Sequence, residues 1–469
     1  MTKTESVDLT IFAERMRAEG LPEIATRAFL RAADFVASGG ATTISDSDLE
    51  SVGNLPSMTE LAGFEAAGRR AASRAAVIKL NGGLGTSMGL SKAKSLLRLR
   101  PGLSFLDSIA NQILYQRRMW GVELPLVLMN SYRTHEDSLE ALAKFPTLAT
   151  DGLPLDFVQH KVPRIDAATW TPVEWPADES LGWCPPGHGD LYIALESSGM
   201  LDALRNRDIR YVFVSNADNL GAVLDPSILG WMVERQLPFL MEVAERTAAD
   251  KKGGHLARRR GRLILREVAQ CPDSDLASFQ DIEKHRYFNT NNLWLDLDAL
   301  AESFEASPDG LPLAVIRNVK KVDPRDSSSP LCYQLESAMG SAIDCFDRAE
   351  AIIVPRDRFA PVKTTNDLLE LWSDAYEVAE DGRMLRVDAN AKHDRVIDLD
   401  PEFFGSIDKL ESRFPEGAPS LVQCERLTIR GDHRFEADVT IIGNVALVND
   451  SEVPVTFESG RILTGDGSD

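Results

Sequence analysis

An α/β domain built on a mixed, mostly parallel sheet, followed by a short parallel β-helix, is the architecture this sequence predicts. Three observations carry it. Short apolar or β-branched runs alternate with amphipathic stretches between about residues 74 and 375, a glycine-rich loop directly follows the first run, and apolar residues recur six apart near the C-terminus. The chain has 469 residues, too many for one simple core. Its changes of texture divide it into an N-terminal helical segment (1–73), an α/β domain (74–380) and a C-terminal β-helix (381–469).

Residues 8 to about 70 read as helical, since Leu9, Phe12, Met16, Ile24, Ala28, Phe29, Ala32 and Ala33 fall at helical spacing. Ser45-Asp46-Ser47-Asp48 offers a helix N-cap with acids in the first turn. No chemistry concentrates there, and the segment reads as a lid or brace. Ala75 to Leu80 is the first buried strand, followed by Leu124 to Met129, Tyr211 to Val214, Phe239 to Val243 and Ala351 to Val354. Helices at Phe105–Met119 and His135–Lys144 lie between them. In the last segment Phe435, Ile441 and Leu447 repeat at a step of six, Val439 and Val445 form a second file, and Gly431, Ala437 and Gly443 a small-residue file.

Charge limits the partners. A formal net charge of −21 repels nucleic acid and anionic membrane surfaces. No run approaches the ~20 apolar residues of a membrane span, and Met1 to Ser6 has no apolar stretch of the signal-peptide kind. Five scattered cysteines without metal-ligand spacing fit a reduced cytoplasm.

The loop after the first strand reads Asn81-Gly82-Gly83-Leu84-Gly85-Thr86-Ser87-Met88-Gly89. A tight turn needs one or two glycines; four in eight positions suit a backbone that cradles phosphate. No glycine there precedes a lysine, which excludes a P-loop, and Gly83, Gly85 and Gly89 are spaced wrongly for a dinucleotide fingerprint. Between Glu65 and Asp107 no acidic residue occurs over 41 positions, where the chain average predicts about six. The same stretch carries eight lysines and arginines, a local positive field suited to polyphosphate.

Other constellations sit at strand ends. Tyr211–Val214 runs into Ser215-Asn216-Ala217-Asp218-Asn219, where a carboxylate is either a Mg²⁺ ligand or a helix cap. Pro185-Pro186-Gly187-His188-Gly189-Asp190 is a stiff turn around one histidine, functional or structural. Arg356, Arg358 and Lys363 precede a helix starting near Thr365, either an anion site or a solvated loop. Asn289 to Asn292 clusters amides suited to sugar hydroxyls.

Taken together, Lys79 to Gly89, Pro185 to Asp190, Phe213 to Ala222, Phe288 to Trp294 and Pro361 to Thr365 resemble the eukaryotic-type UTP–glucose-1-phosphate uridylyltransferase family, from about 75 to 370. One departure is Ser91-Lys92-Ala93-Lys94-Ser95, where the family runs Lys, then Gly-Pro-Lys-Ser; Lys94 keeps its register.

The resemblance implies a GT-A-like, Rossmann-related nucleotidyltransferase domain, a left-handed β-helix that in the family mediates assembly, and Mg²⁺ as cofactor. It implies that Leu80, Asn81, Gly82 and Gly83 face the nucleotide and that Gln159 and Gly187 read uracil. His188 and Asn216 would meet the sugar phosphate, with Gly83 also beside it. Gly254, Glu267 and Asn291 would meet the hexose. Asp218 would hold Mg²⁺, and Lys94 and Lys363 would bind phosphate. The implied reaction is in-line attack of glucose-1-phosphate on the UTP α-phosphorus. Galactose-1-phosphate or an N-acetylhexosamine phosphate as acceptor, or UTP sensing without turnover, are the alternatives.

Overall fold

The computed structural model describes residues 7–247, 250–387 and 395–465. The opening stretch Met1 to Ser6 and the end of the polar tail, from Asp466, lie outside them. A nine-stranded sheet forms the centre: β1 (Ala75–Asn81), β2 (Leu126–Asn130), β3 (Asp156–Val158), β4 (Tyr211–Asn216), β5 (Phe239–Glu245), β6 (His255–Arg259), β7 (Arg262–Arg266), β8 (Tyr287–Asp296) and β9 (Glu350–Ile353). Its first half runs 3-2-1-4, all parallel, with Leu80 of β1 between Met129 and Asn216. Continuous apolar runs arise because both faces are covered. Val77, Leu126 and Phe213 enter one apolar cluster, while Ala76, Ile78, Val127 and Val214 enter the other.

Beyond β4 the sheet is mixed. The β8 strand lies antiparallel to both β4 and β5, the β6–β7 hairpin branches from its start, and β9 returns parallel to β5. The sheet is therefore less parallel than the sequence predicts. The reason is tertiary: Leu293–Asp296 pairs with Val214–Tyr211, and no local pattern encodes that direction.

The N-terminal segment is less helical than its periodicity predicts. It holds α1 (Thr10–Ala18), α2 (Glu23–Ala37) and α3 (Glu65–Ala71), and residues 38–64 form an irregular strap. The helix expected at Ser45 is a single 3₁₀ turn, Asp46–Asp48, capped by the Ser45 hydroxyl. Asp46 is drawn away to Arg266, Lys284 and His285, which leaves no continuing helix face. Elsewhere α4 (Phe105–Trp120) matches the expected helix, starting in a Ser104–Asp107 capping box.

In the C-terminal part β10 (Val396–Leu399), β11 (Cys424–Arg430), β12 (Thr440–Val448) and β13 (Ile462–Thr464) pair in parallel. The six-spaced residues Phe435, Ile441 and Leu447, and Val439 and Val445, are all buried. Through Phe404 and Leu410 this core is continuous with the apolar cluster on one face of the central sheet.

Candidate active site

The chain leaves β1 toward β2 and β3 on one side and then crosses to β4 on the other, making a topological switch between β1 and β4. Open α/β sheets bind ligands outside the carboxyl ends of strands at such a point. The loop after β1 and the segment Asn216–Asn219 after β4 both open there, joined by the Ala217 amide donating to the Leu80 carbonyl at 3.0 Å.

The glycine loop is closed on itself. The Lys94 amide donates to the Gly83 carbonyl at 3.1 Å, and Leu84 bridges Ala93. Its glycines serve different ends. A Cβ at Gly82 would lie 2.8 Å from the Gln159 amide nitrogen, so Gly82 is what lets Gln159 lie against the loop. A Cβ at Gly83 would meet nothing within 4 Å and its φ is ordinary, so nothing inside the protein requires a glycine there. That open face is where an external group can approach the backbone. Leu80 is half-buried, and the buried Asn81 side chain donates to Asn130 and Ser138, leaving its backbone to the loop.

Lys94 reaches across to Asp218: Nζ to Oδ2 is 2.6 Å, with the two side chains 20% and 19% exposed. The other oxygen, Asp218 Oδ1, is buried and has no hydrogen-bond partner. A carboxylate oxygen left without a partner needs an external donor or cation. No group of three His, Cys, Asp or Glu side chains suited to a metal occurs among the described residues. A Mg²⁺ that keeps waters and substrate oxygens needs only one or two protein carboxylates.

The exposed Lys363 belongs to the segment tied to the same loop. Val362 N–H donates to the Asp218 carbonyl at 3.3 Å, and Asn219 bridges Pro361. The Lys363 amide is held by Asp367, whose carboxylate caps helix α5 (Thr365–Trp372). The neighbouring cations are not free. Arg356 pairs with Asp250 at 3.0 Å, and the buried Arg358 pairs with Glu242 at 2.7 Å. Of the three cations considered for an anion site, two are therefore spent on structure.

Across the crevice, Gly187 (φ +81°) lets its turn press on Ser337, whose carbonyl would lie 2.4 Å from a Cβ there. The Met339 amide donates to His188 Nδ1 at 3.0 Å. The proton therefore resides on Nε2, which is left as a donor. Burial pushes the His188 imidazole down to about 4, so it is neutral at physiological pH.

The residues expected to meet the hexose gather at the root of the β6–β7 hairpin and on β8. A Cβ at Gly254 would come 2.5 Å from a Glu267 carboxylate oxygen, which places that carboxyl over the glycine. Burial raises the Glu267 pKa, and the charge of Lys363 opposes that rise. Asn291 sits in left-handed backbone (φ +58°) where pairing with β5 shifts register between Glu242 and Val243, and its Oδ1 accepts from Asn289. Bulges of this kind re-aim side chains beside active sites.

Sequence reading gave no role to two charges buried inside apolar strands. Lys79 Nζ donates to Ser215 Oγ and the Ala222 carbonyl, both at 2.7 Å, bracing the loop that carries Asp218. Burial, reinforced by Arg358, pushes its ammonium down to about 7 against the pull of Glu242 and Asp218. Glu242 is fully buried and accepts from Arg358, Asn292 and Trp294. The Arg358 carbonyl in turn receives the Asn219 amide at 3.0 Å. The available signal was a single charge within each otherwise apolar run.

A glycine loop with an open backbone face, beside a lysine–carboxylate pair at a strand switch, suits a phosphate-bearing ligand, and with the family match and relatives that follow the chain is by class a nucleotidyltransferase. The sequence model of the family described as UTP--glucose-1-phosphate uridylyltransferase matches residues 28–442. The chain belongs to that family. It is 40% identical over 390 residues to the UTP--glucose-1-phosphate uridylyltransferase of Solanum tuberosum, covering 82% of this chain and 79% of the relative. Its fold is similar to a solved UDP-glucose phosphorylase from Trypanosoma brucei (45% identity, TM-score 0.88, 98% of each chain). It is also similar to the UDP-glucose pyrophosphorylase of Leishmania major, whose open and closed structures are solved (41% identity, TM-score 0.91, 98% of each chain).

Proposed function

We propose that this protein joins the uridylyl group of UTP to glucose-1-phosphate, forming UDP-glucose and pyrophosphate. The observation that carries this reading is the Lys94–Asp218 pair beside the glycine loop, whose Gly83 face is open, with one buried Asp218 oxygen left without a partner. A sugar-phosphate oxygen attacks the α-phosphorus of UTP as the bond to pyrophosphate breaks on the opposite side. The phosphate is already nucleophilic, so positioning and neutralisation of charge carry the rate. Gly82 and Gly83 hold the nucleotide backbone-on, and Gln159 with the Gly187 turn frames the base. Lys94 supplies positive charge at the transferring group, and Lys363 supplies it at phosphate from the facing segment. His188 offers its Nε2 proton to the sugar phosphate without changing charge, with Asn216 beside it. Gly254, Glu267 and Asn291 read the hexose hydroxyls.

Mg²⁺ is the cofactor in this reading. Asp218 Oδ1 is the protein oxygen that would hold it, and when bound it neutralises phosphate charge. The catalytic domain is GT-A-like and spans 74–380, between the N-terminal segment (1–73) and the C-terminal part (381–469). The C-terminal strands form a left-handed β-helix in the same reading. Supporting it, Leu427 pairs with Val445 eighteen residues on, three steps of six. Assembly of copies through this part is supported by the exposed Val448, Val453 and Ile462, and sedimentation tests it. A cytoplasmic location is supported by five unpaired cysteines. Among the described residues no helix is long and apolar enough to cross a membrane.

The test is pyrophosphate release from UTP and Mg²⁺ with glucose-1-phosphate, galactose-1-phosphate and N-acetylglucosamine-1-phosphate in parallel. Release favouring glucose-1-phosphate is expected. Preference for another sugar would move the hexose assignment, and UTP binding without release would overturn the enzyme reading.

A further inference from the structure

We propose that Asp46, on the N-terminal strap, is a positioning residue that fixes the hexose-reading pair Gly254–Glu267 and thereby sets discrimination among sugar phosphates. The inference rests on the functional reading above. Asp46 touches no substrate group itself. It acts through the residues next to the pair: His255 follows Gly254, Arg266 precedes Glu267, and the two are directly paired across the β6–β7 hairpin.

Behind this hairpin lies a cluster of basic side chains around one fully buried arginine. The Arg266 side chain is fully buried, and its guanidinium meets Asp46 and Asp275, each at 3.4 Å. A buried guanidinium needs its counter-charges, and removing one leaves charge uncompensated. Asp46 also accepts from Lys284 Nζ and from His285 Nε2 at 3.0 Å. The His285 ring stacks on His255 with centroids 3.8 Å apart. One carboxylate thus gathers three basic side chains from two segments, Arg266 at the end of the hairpin and the adjacent Lys284 and His285 before β8. Burial opposes its ionisation, but hydrogen bonds from Lys284 and His285 outweigh that and hold its carboxyl well below the usual range.

The backbone repeats the clasp. The Asp46 amide donates to Asp275 at 2.7 Å, and Ile44 N–H donates to the Gln270 carbonyl at 2.7 Å. Gln270 closes a turn on Glu267, whose amide donates to Gln270 Oε1 at 2.9 Å. Four residues on, Glu50 and Arg258 exchange both backbone bonds at 2.9 Å. The strap therefore holds the outer face of the two segments that present Gly254 and Glu267. Small displacements of a reading group cost much in orientation and little in fold, so the consequence falls on sugar binding.

Steady-state kinetics of Asp46→Asn test this, with UTP and each sugar phosphate varied in turn. The expected result is a KM for glucose-1-phosphate raised about tenfold, an unchanged KM for UTP, and a reduced preference for glucose over galactose-1-phosphate. Asp46→Glu, which keeps the charge, is expected to restore most of the preference. Should Asp46→Asn fail to fold, Asp275→Asn loosens the same clasp and must give the same split. An unchanged sugar KM and preference, or equal losses toward UTP and both sugars, would overturn the proposal. Wild-type enzyme inactive with every sugar would instead overturn the functional reading on which it rests.

Discussion

The two sides of the cleft are built differently. The glycine loop proposed for the nucleotide comes from neighbours in sequence: β1 runs into it, and Lys94 bonds back to Gly83 eleven residues earlier, with Asp218, Gln159 and Lys363 brought to it from elsewhere. The hexose side is assembled from segments hundreds of residues apart, with Asp46 closing on Arg266, Lys284 and His285. One side is a motif and the other a set of tertiary pairs. The first tolerates changes in its surroundings, whereas the second depends on buried charges remaining matched.

The largest effect expected from this difference is on stability. Glu242 and Arg358 form a buried pair under both sides, so Glu242→Gln leaves a buried guanidinium short of its counter-charge. A loss of about 3–5 kcal/mol in urea unfolding is expected. A loss under 1 kcal/mol would mean the pair does not brace the cleft.

Gly83 probes the opposite behaviour. Its added Cβ meets nothing, so Gly83→Ala is expected to leave stability within about 0.5 kcal/mol. The same change is expected to raise the KM for UTP by roughly tenfold or more, because the methyl occupies the open face where phosphate lies. Normal UTP kinetics in Gly83→Ala would remove that loop from the nucleotide site.

The smallest effect concerns pH. His188 titrates near 6.5 when unfolded and about 4 when folded. Between those values the unfolded chain binds more protons, so stability falls as pH drops from 6.5 toward 4, and is insensitive to this group above 6.5. His188→Gln is expected to flatten that part of the stability profile. In the wild type, the pH dependence of kcat is expected to show no imidazole ionisation near 6.5.

The same difference explains what was legible in the sequence. Strands β1, β2 and β4 of the parallel half were readable, because strands buried on both faces leave continuous apolar runs such as Ala75–Leu80 and Tyr211–Val214, whereas the three-residue β3 was too short to leave one. Antiparallel β8 was not, since Asn289–Asn292 looks like a polar loop and its bulge exists only against β5. Glycine density marked the loop that holds Gly83, and position at a strand end marked Asp218 as a Mg²⁺ ligand or a helix cap; Lys94 was one of eight cations in an acid-free stretch and was singled out only by the family resemblance. Arg356 and Arg358 were left open between an anion site and a solvated loop because sequence shows cations without their partners, Asp250 and Glu242. The strap looked helical by periodicity, yet Asp46 is claimed by basic groups more than 200 residues away.

The most direct measurement is the single-turnover rate of UDP-glucose formation by Lys94→Ala, at saturating UTP and glucose-1-phosphate. Loss of a preorganised cation at the transferring phosphate is expected to slow it by about 10²–10³, or ~3–4 kcal/mol, with the thermal transition unchanged. A folded Lys94→Ala enzyme turning over at near wild-type rate would contradict the central role of the Lys94–Asp218 pair.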